Sequence, residues 1–296
     1  MNDRLNQLSL FVRTVETGSF SKAAREFGLS QPSVSRAVAS LEARLGVTLL
    51  QRTTRRLATT DVGQALAMSA REALAAIEEA ENEARGADRL SGVLRVSMPV
   101  AYGVRQVIPR LPGFLALQPE LKIELMMSDR FDDLVAEGAD LALRLGNQPD
   151  SAFLTRKLAT TDRIVVASPT YLTRRGVPAD LDELGEHDCL GGPVDAGREV
   201  WSFRHGEKRE DVAIDVGVRT GSGSGVIACA VAGLGIAVAS TWMCAEELED
   251  GRLVRILADY TLERIDAYVV FSSGRQPSRK ARAFSDYLSE ALNAKN

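Results

Sequence analysis

The sequence predicts a multidomain protein: an all-α helix–turn–helix head bearing a short hairpin wing, one long linker helix, and a body of two α/β lobes. Three observations predict it. Helical stripes punctuated by serine and glycine fill the first 46 residues, an apolar heptad runs on from Leu66, and strand and helix patterns alternate after Gly92. A length of 296 residues favours two or three compact units over one.

In the head, Leu5, Leu8, Phe11, Val12 and Val15 form a helical stripe within residues 4–17. Ser19 or Ser21 can cap a second helix, "SKAAREFG", with Ala23, Ala24 and Phe27 on its apolar side. Gly28 can end it in the left-handed conformation. Ser30 can cap a third helix, with Pro32 tolerated in the first turn, and Val34, Val38, Leu41 and Leu45 then face inward until Gly46. "VTLLQRTTRRLATT" reads as a short hairpin. From Thr60 to about Arg89, Leu66, Ala70, Ala73, Ile77, Ala80 and Ala84 recur at 4, 3, 4, 3, 4. That narrow seam suits close pairing of two helices, or packing on the chain's own head. "GADRLSG" (86–92) reads as a hinge.

The body begins with the strand "VLRVSM", a helical stretch at 103–117 broken by Pro109 and Pro112, the strand "LKIELMM", the helix "FDDLVAEG" and the strand "ADLALRLG". A second series starts at "DRIVVAS" and runs through the strand "DVAIDVGV", a helix at 223–233 and the strand "IAVAS". "IDAYVVFS" and a helix at 277–292 close the chain. Such alternation predicts parallel or mixed sheets with helices on their faces. The expected boundaries are 1–59 for the head, 60–89 for the linker and 90–296 for the body, with lobe I about 92–162 and 266–296 and lobe II about 163–265.

Composition narrows the class. Hydrophobic residues at 45% and charged residues at 26% fit a soluble globular chain. The longest apolar run, "GVIACAVAGLGIAVAS" (225–240), is too short and glycine-rich for a membrane span. The N-terminus lacks the apolar core of a signal peptide, so a cytoplasmic location without membrane attachment is expected. Cys189, Cys229 and Cys244 form no paired spacing, which suggests neither disulfides nor a metal site. Residues 1–60 hold nine basic and four acidic side chains, a net +5, whereas the remaining 236 carry −9 of the total −4. A basic head on an acidic body suggests that the head meets a polyanion; chance clustering on a solvated face is the plainer alternative.

The head's spacings suit two helices crossing at a tight turn: Ala24 lets backbones approach, Gly28 makes the corner, and Val34 locks the third helix on the second. That helix then presents Gln31, Ser33, Ser35 and Arg36 outward, where Arg can pair with guanine and Gln with adenine. Arg52, Arg55 and Arg56 place the hairpin as a wing against the DNA backbone or minor groove.

In the body, ligands of open α/β folds sit beyond the carboxyl ends of strands. "MPVAY" (98–102), with Val100, Ala101 and Tyr102, lies there, as do "SDR" with Ser128, "RLGN" with Arg144, and "GSGSG" with Ser222 and Ser224. Ser222 and Ser224, with N–H groups at a helix start, suit a carboxylate or other polar group. "WSFRH" (201–205) could add Trp201 as a ring wall, or as plain core, and Arg204 as a counter-charge.

An enzyme is not expected. "GSGSG" has Gly223 where a nucleophile elbow needs serine, and Val226 where a dinucleotide fingerprint needs glycine. "HDC" (187–189) puts three reactive types together, but adjacent residues point in different directions.

"LFVRTVETGSFSKAAREFGLSQPSVSRAVASLEARLGVTLLQRTTRRLATTDVGQ" resembles the N-terminal domain of LysR-type transcriptional regulators, almost continuously over residues 5–64. "GVLRVSMPVAYG", "LKIELMMSDRFDDLVAEGADLALRLG", "IVVASPTYL" and "AVAGLGIAVAS" resemble that family's effector domain. The resemblance implies a winged helix–turn–helix, a dimerising linker helix, and an effector domain of periplasmic-binding-protein type. It implies DNA contacts at Gln31, Pro32, Ser33, Ser35, Arg36 and Arg55, with Pro32 meeting a thymine methyl. It implies an effector pocket around Val100, Ala101, Ser128 and the second-lobe segments. The expected partners are double-stranded promoter DNA at an inverted repeat, a second copy or a tetramer, RNA polymerase, and a small organic effector, a carboxylate or aromatic; no cofactor or metal is expected. The alternative is a regulator that needs no ligand and uses its body only for assembly.

Overall fold

The structure, a computed structural model, describes residues 2–52, 57–84, 90–129, 138–146, 153–192, 199–272 and 277–294. The head opens with α1 (Asn2–Thr17), α2 (Phe20–Glu26) and α3 (Gln31–Leu45). Leu10, Phe11, Ala23, Ala24, Val34, Val38 and Leu41 are buried between them. Ser19 caps α2, its Oγ accepting the Lys22 N–H at 3.3 Å. Gly28 takes φ +64° at the corner, and the Leu29 N–H returns to the Ala24 carbonyl at 2.9 Å. Leu5, Phe27 and Leu45, expected inward, are each about 40% exposed; Leu10 takes the inward place on α1.

The wing is β1 (Leu50–Arg52) paired antiparallel with β2 (Leu57–Thr59). Glu42 on α3 fastens its start, with Oε1 accepting the Leu49 and Leu50 N–H groups at 2.7 and 3.0 Å. The linker α4 (Asp61–Ala84) begins at Thr60, whose Oγ1 accepts the Gly63 N–H at 3.0 Å. Gly63, Ala67 and Ala70 of α4 are buried, and Leu66 and Leu74 pack on the head's core. Farther on, Ala73, Ile77 and Ala80 of the expected seam are exposed.

Lobe I contains β3 (Gly92–Met98), α5 (Val100–Tyr102), α6 (Leu111–Leu117), β4 (Leu121–Met127), β5 (Leu141–Leu145) and β6 (Thr155–Thr161). The chain then builds lobe II. Its first half is β7 (Arg163–Ala167), α7 (Pro169–Arg175), α8 (Leu181–Leu184), β8 (Cys189–Gly191), β9 (Glu199–His205) and β10 (Lys208–Ile214). Its second half is β11 (Val216–Arg219), α9 (Gly223–Val231), β12 (Ala237–Ser240), α10 (Ala245–Glu249), β13 (Val254–Ile256) and β14 (Thr261–Leu262). β15 (Ile265–Phe271) and α11 (Arg279–Asn293) return to lobe I.

The lobe I sheet has the order β4-β3-β5-β15-β6, with β3 parallel to both β4 and β5. The order reverses at β3, so the crevice beyond its carboxyl end, between β3 and β5, is the natural ligand position of such a sheet. Phe284 and Leu288 of α11 seal the core on Leu94, Val96 and Val269. In lobe II, β7 lies between β12 and β13. β8 joins through a bridge at Ile236 and pairs parallel with β11.

Two readings of the body need correction. The helix expected at 103–117 is a π turn (Gly103–Val107), a 3-10 turn (Ile108–Arg110) and then α6. Pro109 sits in the 3-10 turn because it has no N–H for an α-helical bond. "DVAIDVGV" is two strands rather than one: β10 pairs with β9 in a small separate sheet, and β11 pairs with β8. The helix expected in "FDDLVAEG" falls almost wholly outside the described residues.

Candidate DNA-reading face and interlobe cleft

On α3, Gln31, Pro32 and Arg36 are exposed and Ser33 and Ser35 partly so, while Val34 and Val38 of the same turns are buried. Ser30 caps the helix, accepting the Ser33 N–H at 3.3 Å. The Ser33 hydroxyl lies 2.8 Å from the Ser30 hydroxyl, so the cap already engages it. Arg36 Nη2 reaches Ser33 Oγ at 3.4 Å, a long bond that leaves the guanidinium easily redirected. Arg55 and Arg56 lie outside the described residues, and of Arg52 only the backbone is described, paired with Leu57.

The body encloses a cavity of about 410 Å³ between its lobes, the size of a small-molecule site. Lobe I contributes Ala101, Tyr102, Ser128, Asp129 and Arg144. Lobe II contributes Arg163, Glu199, Gly223, Ser240 and Trp242, and Leu190, Val226, Val238 and Ile265 give apolar walls. Tyr102 and Trp242 meet edge-on with centroids 5.1 Å apart. Burial raises the Tyr102 pKa, which keeps its hydroxyl a donor. Burial lowers the Arg163 pKa, against the opposing fields of Glu199 and Glu263. Arg144 is buried and donates to Ser97 Oγ at 3.3 Å and to its neighbour's carbonyl at 3.2 Å.

Five of the residues expected in the pocket lie elsewhere. Val100 does not line the cavity; its N–H is held by Asp129 Oδ1 at 3.0 Å. Trp201 is 2% exposed in the lobe II core, and its Nε1 donates to Glu199 at 3.0 Å. Arg204, an odd five residues from the cleft-lining Glu199, is exposed on the other side of β9 and borders a separate groove. Ser222 caps α9, accepting the Gly225 N–H at 3.0 Å. Ser224 borders a neighbouring groove with Arg105 and Glu247. Sequence reasoning missed Arg163, Glu199 and Trp242. The signal for Arg163 was a lone cation opening the apolar strand "RIVVA" directly after the crossing between lobes.

"HDC" does not form a reactive group. The Tyr171 hydroxyl lies 3.0 Å from His187 Nδ1, and Asp188 pairs with Arg175 at 3.6 Å. Burial pushes the Cys189 thiol up to about 12. Among the described residues, no group of three His, Cys, Asp or Glu side chains is placed to hold a metal, and no helix is long and apolar enough to cross a membrane.

A capped helix–turn–helix with an outward polar face, joined to a two-lobed domain around a small-molecule cavity, defines a ligand-binding transcriptional regulator. Residues 5–64 match the bacterial regulatory helix-turn-helix proteins of the lysR family, and residues 87–293 match the LysR substrate binding domain. The chain belongs to the LysR family of transcriptional regulators. It is 34% identical to an uncharacterized HTH-type transcriptional regulator of Haemophilus influenzae, over 96% of this chain and 99% of that one. It is 31% identical to the HTH-type transcriptional regulator CrgA of Neisseria meningitidis serogroup C, over 99% and 98%. The solved structure of CrgA matches with a TM-score of 0.63 at 30% identity, covering 97% of this chain and 98% of that one. Full-length AphB, a virulence activator of Vibrio cholerae, matches at 0.60 and 28%, covering 96% and 98%.

Proposed function

We propose that this regulator reads a promoter inverted repeat through Gln31, Pro32, Ser35 and Arg36 of α3, with Ser33 serving mainly the cap. Arg52, Arg55 and Arg56 of the wing contact the phosphates or minor groove. The observation that carries this reading is the split of α3 into a buried apolar side and an exposed polar side at its capped start. Two copies pair along α4, whose distal Ala73, Ile77 and Ala80 are exposed. Residues 1–59, 60–89 and 90–296 are the functional units, and the protein acts in the cytoplasm, binds without catalysis, assembles as a dimer or tetramer, and engages RNA polymerase. A small organic effector in the cleft changes the angle between lobes and so the geometry of the assembly on DNA.

Footprinting on the intergenic DNA beside its own gene tests the reading. Protection of an inverted repeat is expected. Arg36→Ala should lower discrimination between operator and random DNA by roughly 1–3 kcal/mol. Equal weakening on both would make Arg36 a phosphate contact.

A further inference from the structure

Helix α3 and the linker α4 meet at one stretch of backbone, residues 48–50. Glu42 lies in the last turn of α3, where an acid opposes the helix dipole, so its carboxylate has another use. Oε1 reaches past the helix end and accepts the Leu49 and Leu50 N–H groups at 2.7 and 3.0 Å. The Glu42 carbonyl accepts the Gly46 and Val47 N–H groups at 2.8 and 3.3 Å, which closes the helix. Thr60 takes the carbonyls of the same stretch. Its hydroxyl donates to the Thr48 carbonyl at 2.8 Å, and its N–H donates to the Leu49 carbonyl at 3.0 Å. Its Oγ1 also accepts the Gly63 N–H at 3.0 Å, capping α4. Residues 48–50 are thus held by α3 through their N–H groups and by the start of α4 through their carbonyls.

Apolar packing also joins the two helices. Val38 and Leu41 of α3 share a core with Leu49 and with Ala67 and Ala70 of α4. Such packing is non-directional and fixes proximity rather than angle. Hydrogen bonds weaken steeply when misaligned, so they fix the angle. The lever is long. Glu42 stands nine residues from Ser33, about 14 Å by helical rise. A tilt of about 15° at the joint therefore carries the outward start of α3 about 3.4 Å, one base step along a strand.

We propose, on the reading that α3 enters the major groove and two copies pair along α4, that Glu42 and Thr60 are positioning residues. Through residues 48–50 they set the angle of the recognition helix to the linker, and with it the half-site spacing that the dimer accepts. In a two-fold dimer the same tilt in each copy adds, so the distance between recognition helices changes twice over. A purely structural role for these side chains predicts something else: lower stability, or equal weakening on every DNA duplex.

The test uses the full-length protein and duplexes carrying the footprinted inverted repeat. The half-sites stand at their natural separation or are moved one or two base pairs either way. Gel shifts give the affinity ratio, natural over shifted. A misplaced half-site forfeits base contacts, so the wild-type ratio should exceed about tenfold. Glu42→Ala and Thr60→Val should each lower it roughly threefold or more, or move the optimum to another spacing. Glu42→Gln keeps the acceptor and Thr60→Ser keeps the hydroxyl, and both should keep the wild-type ratio. Arg36→Ala should weaken binding at every spacing and leave the ratio intact. Circular dichroism melts and size exclusion establish that each variant is folded and assembled as the wild type is. If Glu42→Ala does not fold, Thr60→Val decides. A wild-type ratio in the folded Ala and Val variants overturns the proposal, and so does their equal weakening on all duplexes. A wild-type protein that binds every spacing alike overturns it too, while leaving the DNA-reading assignment in place. That assignment falls, and the proposal with it, only if no inverted repeat is bound at all.

Discussion

Arg163 carries a desolvation cost that no direct ion pair among the described residues offsets. Its guanidinium is taken largely out of water, and its pKa is lowered for that reason. Replacing this partly buried charge, whose desolvation the fields of Glu199 and Glu263 only partly offset, by an apolar side chain of similar length removes that cost. Arg163→Met should therefore stabilise the ligand-free protein by about 1 kcal/mol, a melting-temperature rise of about 2–4 °C. A lower melting temperature in a calorimetric scan would show that the guanidinium is a structural tie. The sequence pointed instead to Trp201 and Arg204. Strand periodicity argues against that pair: residues three apart on β9 face opposite sides, and Trp201 and Phe203 both enter the lobe II core. Arg204 must then face outward. The parity was legible; which face met the cleft was not, because that depends on how β9 docks on its lobe.

At the scale of elements, the head was almost fully legible because each boundary has a local cause. Ser19, Gly28, Ser30 and Gly46 mark the helix ends by side-chain caps or by positive φ. The body was less legible. A run such as "DVAIDVGV" carries one alternating pattern, and nothing within it says that the chain leaves one sheet for another at Asp215. The joint between wing and linker was also hidden, since it is a contact between backbones. A Cβ on Gly63 would lie 2.1 Å from the Leu49 carbonyl oxygen, a main-chain atom with little room to yield. The same carbonyl accepts the Thr60 N–H at 3.0 Å, so α4 starts directly on the wing. Gly63→Ala should force the two apart, costing about 1–3 kcal/mol in urea unfolding and weakening operator binding in gel shifts. Unchanged stability and binding would mean that the joint slides freely.

Across the whole molecule, function requires the lobes to hold one angle yet be able to change it. Among the described residues, and apart from the chain crossings, these side-chain contacts span them. Tyr102 meets Trp242, and the Thr161 and Thr241 hydroxyls lie 3.0 Å apart. The third is ionic: Arg105, beside the lobe I helices, donates from Nη2 to Glu247 Oε1 on α10 at 2.6 Å. Its Nη1 lies 2.7 Å from Glu246, close enough for an ion pair but not aligned as a hydrogen bond. Glu246 is mostly exposed, so that pair contributes little. The Glu247 side chain is 6% exposed, so removing Arg105 leaves its buried carboxylate with only the longer pair to Arg252 Nη2 at 3.7 Å. Arg105→Met should accordingly destabilise the body by about 1–3 kcal/mol, and Glu247→Gln by less, because the amide oxygen can still accept. The double variant should recover much of the single loss, giving a coupling above about 1 kcal/mol in a double-mutant cycle on urea unfolding. Strictly additive losses would show that the clasp contributes nothing, leaving the interlobe angle to the aromatic contact and the two crossings. With the clasp confirmed, a ligand in the cleft, which Tyr102 and Trp242 line from the two lobes, would act close to the same hinge, which is how a few contacts there could reset the angle on which the DNA-bound assembly depends.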